Sequence, residues 1–120
     1  MPRFVILEHD HPELHWDLML QQGAVLRTWR LAQPPGELRE PIAATAIGDH
    51  RLLYLDYEGP VSGGRGNVVR WDAGTYRDDY ESVRSADRVV VYLEGKRVRG
   101  SGILEREGDN WRLFFSREKA

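Results

Sequence analysis

Apolar and polar positions along this chain alternate mostly at a period of two, in short runs broken by glycine, proline or asparagine, which is the signature of strands. The pattern predicts strands over Phe4–Glu8, Leu14–Leu20, Ala24–Leu31, Ala43–Ile47, Arg51–Tyr57, Asn67–Trp71, Arg88–Leu93, Val98–Glu105 and Trp111–Ser116. Gln21-Gln22-Gly23, Glu94-Gly95-Lys96 and Glu107-Gly108-Asp109-Asn110 hold residues that accept the positive φ of tight hairpins, so an antiparallel meander is expected. A single turn or short helix is a candidate at Asp78–Ala86, where Tyr80, Val83 and Ala86 fall at helical spacing. The fold class is therefore all-β, a sandwich or a barrel. Its predicted core is the apolar phase of the strands: Trp16, Leu18, Leu20, Leu26, Trp29, Leu53, Leu55, Val69, Trp71, Val89, Val91, Leu93, Ile103, Leu113 and Phe115.

Length and composition narrow the class without changing it. A chain of 120 residues, 41% hydrophobic and 30% charged, is expected to form one domain over residues 1–120. It has no cysteine, which excludes disulfide scaffolds, zinc ribbons and cysteine nucleophiles. No apolar run approaches the roughly 20 residues that span a bilayer, so a cytoplasmic protein with no membrane partner is expected. The net charge of −2 gives no overall attraction to nucleic acid, but the cations are almost all arginine, the residue suited to bidentate phosphate contacts. Arg97 and Arg99 fall on one phase of a late strand, and with Arg65 and Arg70 they form a candidate nucleic-acid track.

Candidate chemistry concentrates in Glu8-His9-Asp10-His11-Pro12-Glu13-Leu14-His15-Trp16-Asp17-Leu18, which holds three of the four histidines. If Leu14–Leu20 is a strand, Leu14, Trp16, Leu18 and Leu20 point one way and His15, Asp17 and Met19 the other. An imidazole and a carboxylate about 6–7 Å apart at their bases can then reach one ion. His9 or His11, across a tight connection bearing Pro12, can supply a third ligand. Two imidazoles and a carboxylate suit Mn²⁺, Fe²⁺ or Zn²⁺ acting as a Lewis acid. In a second cluster, Asp49–Gly59, the same alternation places His50, Leu52, Tyr54, Asp56 and Glu58 on one face. Should that face close over the first, His50 and Tyr54 can bind an oxyanion beside the metal.

These residues carry a resemblance. Phe4-Val5-Ile6-Leu7-Glu8-His9-Asp10 with His15-Trp16-Asp17-Leu18, then Leu26 through Trp29, Asp49-His50 with Tyr54-x-x-Tyr57-Glu58-Gly59, and Val69-x-Trp71-Asp72-x-Gly74-Thr75-Tyr76, resemble in order the phosphoesterase domain of bacterial DNA ligase D and its stand-alone relatives. The resemblance implies a small antiparallel β-barrel that uses Mn²⁺ to process 3′ ends of nucleic acids in DNA repair, leaving ends that a ligase or polymerase partner can use. Zn²⁺ or another divalent ion is the alternative cofactor. By position, His9, His15 and Asp17 match the family's metal ligands, His50 the histidine that contacts phosphate and Tyr54 the tyrosine beside it.

The chain departs from the family pattern at Met19, where a basic residue is usual, at Gln33, where a lysine is usual, at Ile42-Ala43-Ala44, where an arginine is usual, and at Gly48, where an acidic residue is usual. Arg39, Arg51, Arg65 and Arg70 are the cations read as replacements. Two readings follow: a metal-dependent 3′-phosphoesterase, and a non-catalytic module of the same fold that binds a nucleic-acid end or a ligase or polymerase partner.

Overall fold

A computed structural model describes residues 1–36 and 40–118, apart from the side chain of Tyr80; Arg39 lies outside the described residues. The strands are β1 (Arg3–His9), β2 (His15–Gln22), β3 (Val25–Leu31), β4 (Ile42–Arg51), β5 (Gly59–Pro60), β6 (Asn67–Asp78), β7 (Arg88–Gly95), β8 (Arg99–Glu107) and β9 (Asn110–Arg117). All pairings are antiparallel, in the order β1-β2-β3-β4-β9-β8-β7-β6, and a β1–β6 pairing closes the sheet into an eight-stranded barrel. The two-residue β5 extends the sheet beside β6. Gly23 and Gly108, at φ +59° and +61°, make two of the expected hairpin turns. Among the described residues no helix is long and apolar enough to cross a membrane.

Alternation sorts the side chains into two clusters. The barrel interior is filled from all eight strands, including Phe4 and Ile6, Leu18 and Leu20, Trp29 and Leu31, Leu93, Leu104 and Leu113. Residues of the opposite phase, Val5, Leu7, Met19 and Leu26, are buried as well, on the outer face of the barrel beneath the segment following β4. Each such fully buried side chain contributes roughly 1.5–3 kcal/mol, so the outer face of β1–β3 is a packed floor. Arg27 lies over the Trp29 and Trp111 rings and donates to the carbonyls of Val83 and Ser85. Burial lowers its pKa below the usual arginine value, partly offset by Asp49.

Several expectations need correction. Residues 52–55 form a 3-10 turn instead of a strand over Arg51–Tyr57. Leu52 and Leu55, three apart, both pack on the outer cluster, which matches three residues per turn, and Leu53 is left 43% exposed. Val69 is 52% exposed, and it is its neighbour Val68 that is buried at the start of β6, packed in the outer cluster. Between Ile6↔Asp72 and Leu7↔Arg70 the register slips by one residue, making Trp71 a bulge that stays half-buried. Trp16 is half-buried at the margin of the core, its indole N–H donating to Glu8. Ile103 is half-buried because Leu104 takes the inner phase of β8. The single turn or short helix expected within Asp78–Ala86 is present as a 3-10 helix over Asp79–Arg84, held by the Asp78 carboxylate, which accepts from the Ser82 hydroxyl and the Val83 N–H.

Candidate functional site

The antiparallel register of the first hairpin assembles the first cluster. His9, ending β1, pairs with His15, opening β2, and Leu7 pairs with Asp17, so the three polar side chains meet at one end of the outer face. One ligand atom from each of His9, His15 and Asp17 lies within 4.8 Å of the others. Asp17 Oδ2 is 3.2 Å from His15 Nε2 and 3.6 Å from His9 Nδ1. Asp17 and His15 are only 3% and 5% exposed. His11 lines the same cavity but stands outside the cluster, so of the two early histidines it is His9 that turns in.

Backbone carbonyls fix the tautomers. His9 Nε2 donates to the Arg65 carbonyl and His15 Nδ1 to the Glu13 carbonyl, both at 2.8 Å. A carbonyl only accepts, so those nitrogens carry the protons, and in the neutral imidazoles His9 Nδ1 and His15 Nε2 present lone pairs toward Asp17. Asp17 Oδ1 is buried with no hydrogen-bond partner among the described residues, while Oδ2 is within hydrogen-bond distance of His15 Nε2 at 3.2 Å. Neutral imidazoles held in these tautomers bring no hydrogen to the carboxylate, and a shared cation would suit the three groups. Outer carbonyls that orient ligating imidazoles are also a recurring feature of metal sites. The residues present fit a divalent ion.

The second cluster faces the same space by a different route from simple alternation. On β4, the step from Ile47 to His50 opposes the shorter step from Thr28 to Leu26 on β3; this bulge carries His50 onto the face of Ile47. The 3-10 turn then brings Tyr54 back, with ring centroids 5.6 Å apart. His50 Nδ1 donates to the Gly48 carbonyl at 2.9 Å, leaving Nε2 uncommitted. His50 and Tyr54 line one cavity of about 390 Å³ with His9, Asp17, Met19 and Arg65. Asp56 and Glu58 do not share that face: Asp56 pairs with Arg3 at 2.7 Å and Glu58 accepts the Arg70 N–H. The Arg3 guanidinium holds the Asp56 carboxyl below the usual range.

Residues 7–106 match the family described as the DNA ligase D 3′-phosphoesterase domain. The chain belongs to that family. It is 32% identical over 114 residues to a multifunctional non-homologous end joining protein LigD of Mycobacterium bovis, covering 90% of this chain and 15% of that protein. Similar LigD proteins of Mycolicibacterium smegmatis and Pseudomonas aeruginosa are each 30% identical, over 91% and 82% of this chain and 16% and 12% of theirs. The chain therefore spans about 15% of the length of these relatives.

Within this phosphoesterase domain the four candidate track arginines do not come together. Arg65 is in the cavity, where its guanidinium donates to the carbonyl and hydroxyl of Ser62. Arg70 and Arg97 line a separate depression with Arg3 and Lys96, and Arg97 lies 4.9 Å over the Trp71 ring. Arg97 stands in the β7–β8 turn, and Arg99, opening β8, lines neither space. The motif Trp71-Asp72-x-Gly74-Thr75-Tyr76 proves to be scaffold: the Asp72 carboxylate accepts from the backbone N–H groups of Ala73, Lys96, Arg97 and Val98. One cavity residue escaped the sequence reading, Arg30, which replaces none of the four cations proposed but lines the cavity from β3. Its flanking Trp29 and Leu31 point into the barrel, so alternation alone assigns Arg30 to the outer face.

Proposed function

We propose that this domain removes 3′-terminal phosphate from nucleic-acid ends in DNA repair, with a divalent metal, manganese by preference and zinc as the alternative, held by His9, His15 and Asp17. The observation that carries this reading is the convergence of those ligand atoms within 4.8 Å, in a cavity shared with His50 and Tyr54. When bound, the ion supplies positive charge that polarises phosphoryl oxygens and lowers the pKa of water. The protein's own groups do the rest. His9 and His15, pinned by the Arg65 and Glu13 carbonyls, keep their lone pairs aimed inward and need no rearrangement on binding. His50, with Nδ1 held by Gly48, would deliver a proton to the departing 3′ oxygen from Nε2 as an imidazolium, the form in which both ring nitrogens carry hydrogen, and would be left neutral with its lone pair on Nε2. Tyr54 offers its hydroxyl to a non-bridging oxygen. The product, a 3′-hydroxyl end, is what a polymerase or ligase partner consumes.

A second reading, a module that binds ends without turnover, is favoured by one observation. Met19, on the cavity wall where the family pattern carries a cation, is 1% exposed and apolar. The two are separated by incubating the purified chain with Mn²⁺ and a DNA primer bearing a 3′-phosphate. Metal-dependent release of inorganic phosphate, lost in Asp17→Asn, is expected. Tight binding of the primer with no release under Mn²⁺ or Zn²⁺ would leave the module as the better account.

A further inference from the structure

The outer face of β2–β3–β4 is ruled into cross-strand rows, and one of them reads Asp17, Arg30, Thr45. Arg30 is thus the direct cross-strand neighbour of the Asp17 carboxylate, yet no ion pair joins them. The Arg30 Nε is buried without a hydrogen-bond partner, and the side chain makes no hydrogen bond, ion pair or ring contact to any described residue. A guanidinium carries five donors and keeps its charge at any working pH. Holding one half-buried and uncommitted costs stability, and such costs persist where another molecule relieves them.

The position says which molecule. Arg30 forms the shared wall of two spaces: the cavity with His9, Asp17, His50 and Tyr54, and a groove beside it lined by Leu14, Ala43 and Thr45. Arg65, the other arginine of the cavity, already donates to Ser62 through two of its nitrogens. Met19, in the neighbouring row, brings no charge. A planar fork of uncommitted donors beside three converging metal-type ligands matches a phosphoryl group, whose oxygens accept in that geometry.

We propose that Arg30 is the residue that grips the phosphoryl oxygens of the bound 3′ end, at the opening between the cavity and the groove. The proposal rests on the phosphoesterase reading for its substrate, but a binding measurement judges it apart from turnover. Wild type, Arg30→Met, which keeps an apolar stem without charge, and Arg30→Lys are compared in two assays. In the first, with Mn²⁺, primers ending in 3′-phosphate and 3′-hydroxyl are titrated under conditions too short for turnover. Wild type should prefer the phosphorylated end about tenfold or more, and Arg30→Met should bind both ends alike, because a charge-assisted contact to phosphate is gone. In the second, kcat/KM on the phosphorylated primer should fall about 10- to 100-fold in Arg30→Met and recover in part in Arg30→Lys. Should Arg30→Met fail to fold, Arg30→Gln carries the same comparison.

A wild type that prefers the phosphorylated end without ever releasing phosphate would sink the phosphoesterase reading and support Arg30 if the preference vanishes in Arg30→Met. A folded Arg30→Met with unchanged end preference and unchanged kcat/KM would overturn the proposal whatever the wild type does. A wild type that shows no end preference overturns the assignment of Arg30, and it overturns the phosphoesterase reading as well only if no phosphate is released.

Discussion

Asp17 and Asp72 are both almost wholly buried, at 3% and 4% exposure, and they flank β1, Asp17 opposite Leu7 on β2 and Asp72 opposite Ile6 on β6, in opposite chemical company. Asp72 accepts four backbone N–H groups at 2.8–3.0 Å, two on each oxygen, and so is held in place. Asp17 has only two imidazole nitrogens at one oxygen, at 3.2 and 3.6 Å, and its other oxygen has no partner among the described residues. The first carboxylate closes a turn that links β6 to the β7–β8 hairpin. The second is left short of partners among the described residues. Burial alone does not distinguish a structural acid from a functional one; the distinction lies in whether the protein itself satisfies the group.

The comparison breaks most sharply at Asp17. Asp17→Asn removes the anionic ligand while its amide can give hydrogens to the lone pairs of His9 and His15. Phosphate release should fall about 10³-fold or more, the scale of several kcal/mol of charge stabilisation. The metal-free melting temperature should hold or rise slightly. Wild type should gain thermal stability on addition of Mn²⁺, and Asp17→Asn should gain none, which calorimetry reads without any activity assay. A variant that loses its fold would put Asp17 in the same class as Asp72.

At Asp72 the axes reverse. Asp72→Ala strands four backbone donors in a part-buried turn, and the loss should be about 3–5 kcal/mol, roughly 10–25 °C in melting temperature. The fraction that remains folded at low temperature should still take up Mn²⁺ and release phosphate. A smaller test of the same turn is Gly95→Ala. A Cβ there runs into the Asp72 carboxylate and the Phe4 ring, so overpacking should cost about 1–3 kcal/mol, measured by denaturant midpoint, with the activity of the folded protein unchanged.

What was legible in the sequence divides along the same line. His15-Trp16-Asp17-Leu18 alternates cleanly, and that fixed which side chains share the site face before any coordinates. The tautomer control was not readable, because it comes from the Arg65 and Glu13 carbonyls, and backbone carries no sequence label. His50 and Tyr54 were expected together for the wrong reason: alternation was assumed where a bulge and a 3-10 turn do the work, since Leu52-Leu53-Tyr54-Leu55 is too short an apolar run to separate a period of two from one of three. Asp72 stood in a motif with no visible purpose, its partners at residues 96–98 being distant in the chain. Arg30 is legible as an outer-face residue from the inward phase of Trp29 and Leu31, but no motif marks it as part of a site.

Tyr76, in the same motif as Asp72, gives the finest test of which region serves stability. Its hydroxyl donates to the Gln21 carbonyl at 2.6 Å, tying β6 to the end of β2. Burial, with a smaller contribution from Asp78, pushes its pKa up to about 12, whereas a tyrosine in the unfolded chain titrates near 10. The raised folded value means the folded state holds the proton more tightly than the unfolded state. Its stabilisation is therefore complete below about pH 10 and is lost as pH rises from there through about 12. Tyr76→Phe should lower stability by about 1 kcal/mol at neutral pH, the net worth of one hydrogen bond. It should also flatten the alkaline fall between pH 10 and 12 relative to wild type, as followed by denaturant titration at each pH. Phosphate release at pH 8 should stay at the wild-type level, because the hydroxyl faces Gln21 and not the cavity of Asp17. A drop in that activity at unchanged stability would mean that the two regions are coupled through β2, and that the scaffold role given to this motif is too narrow.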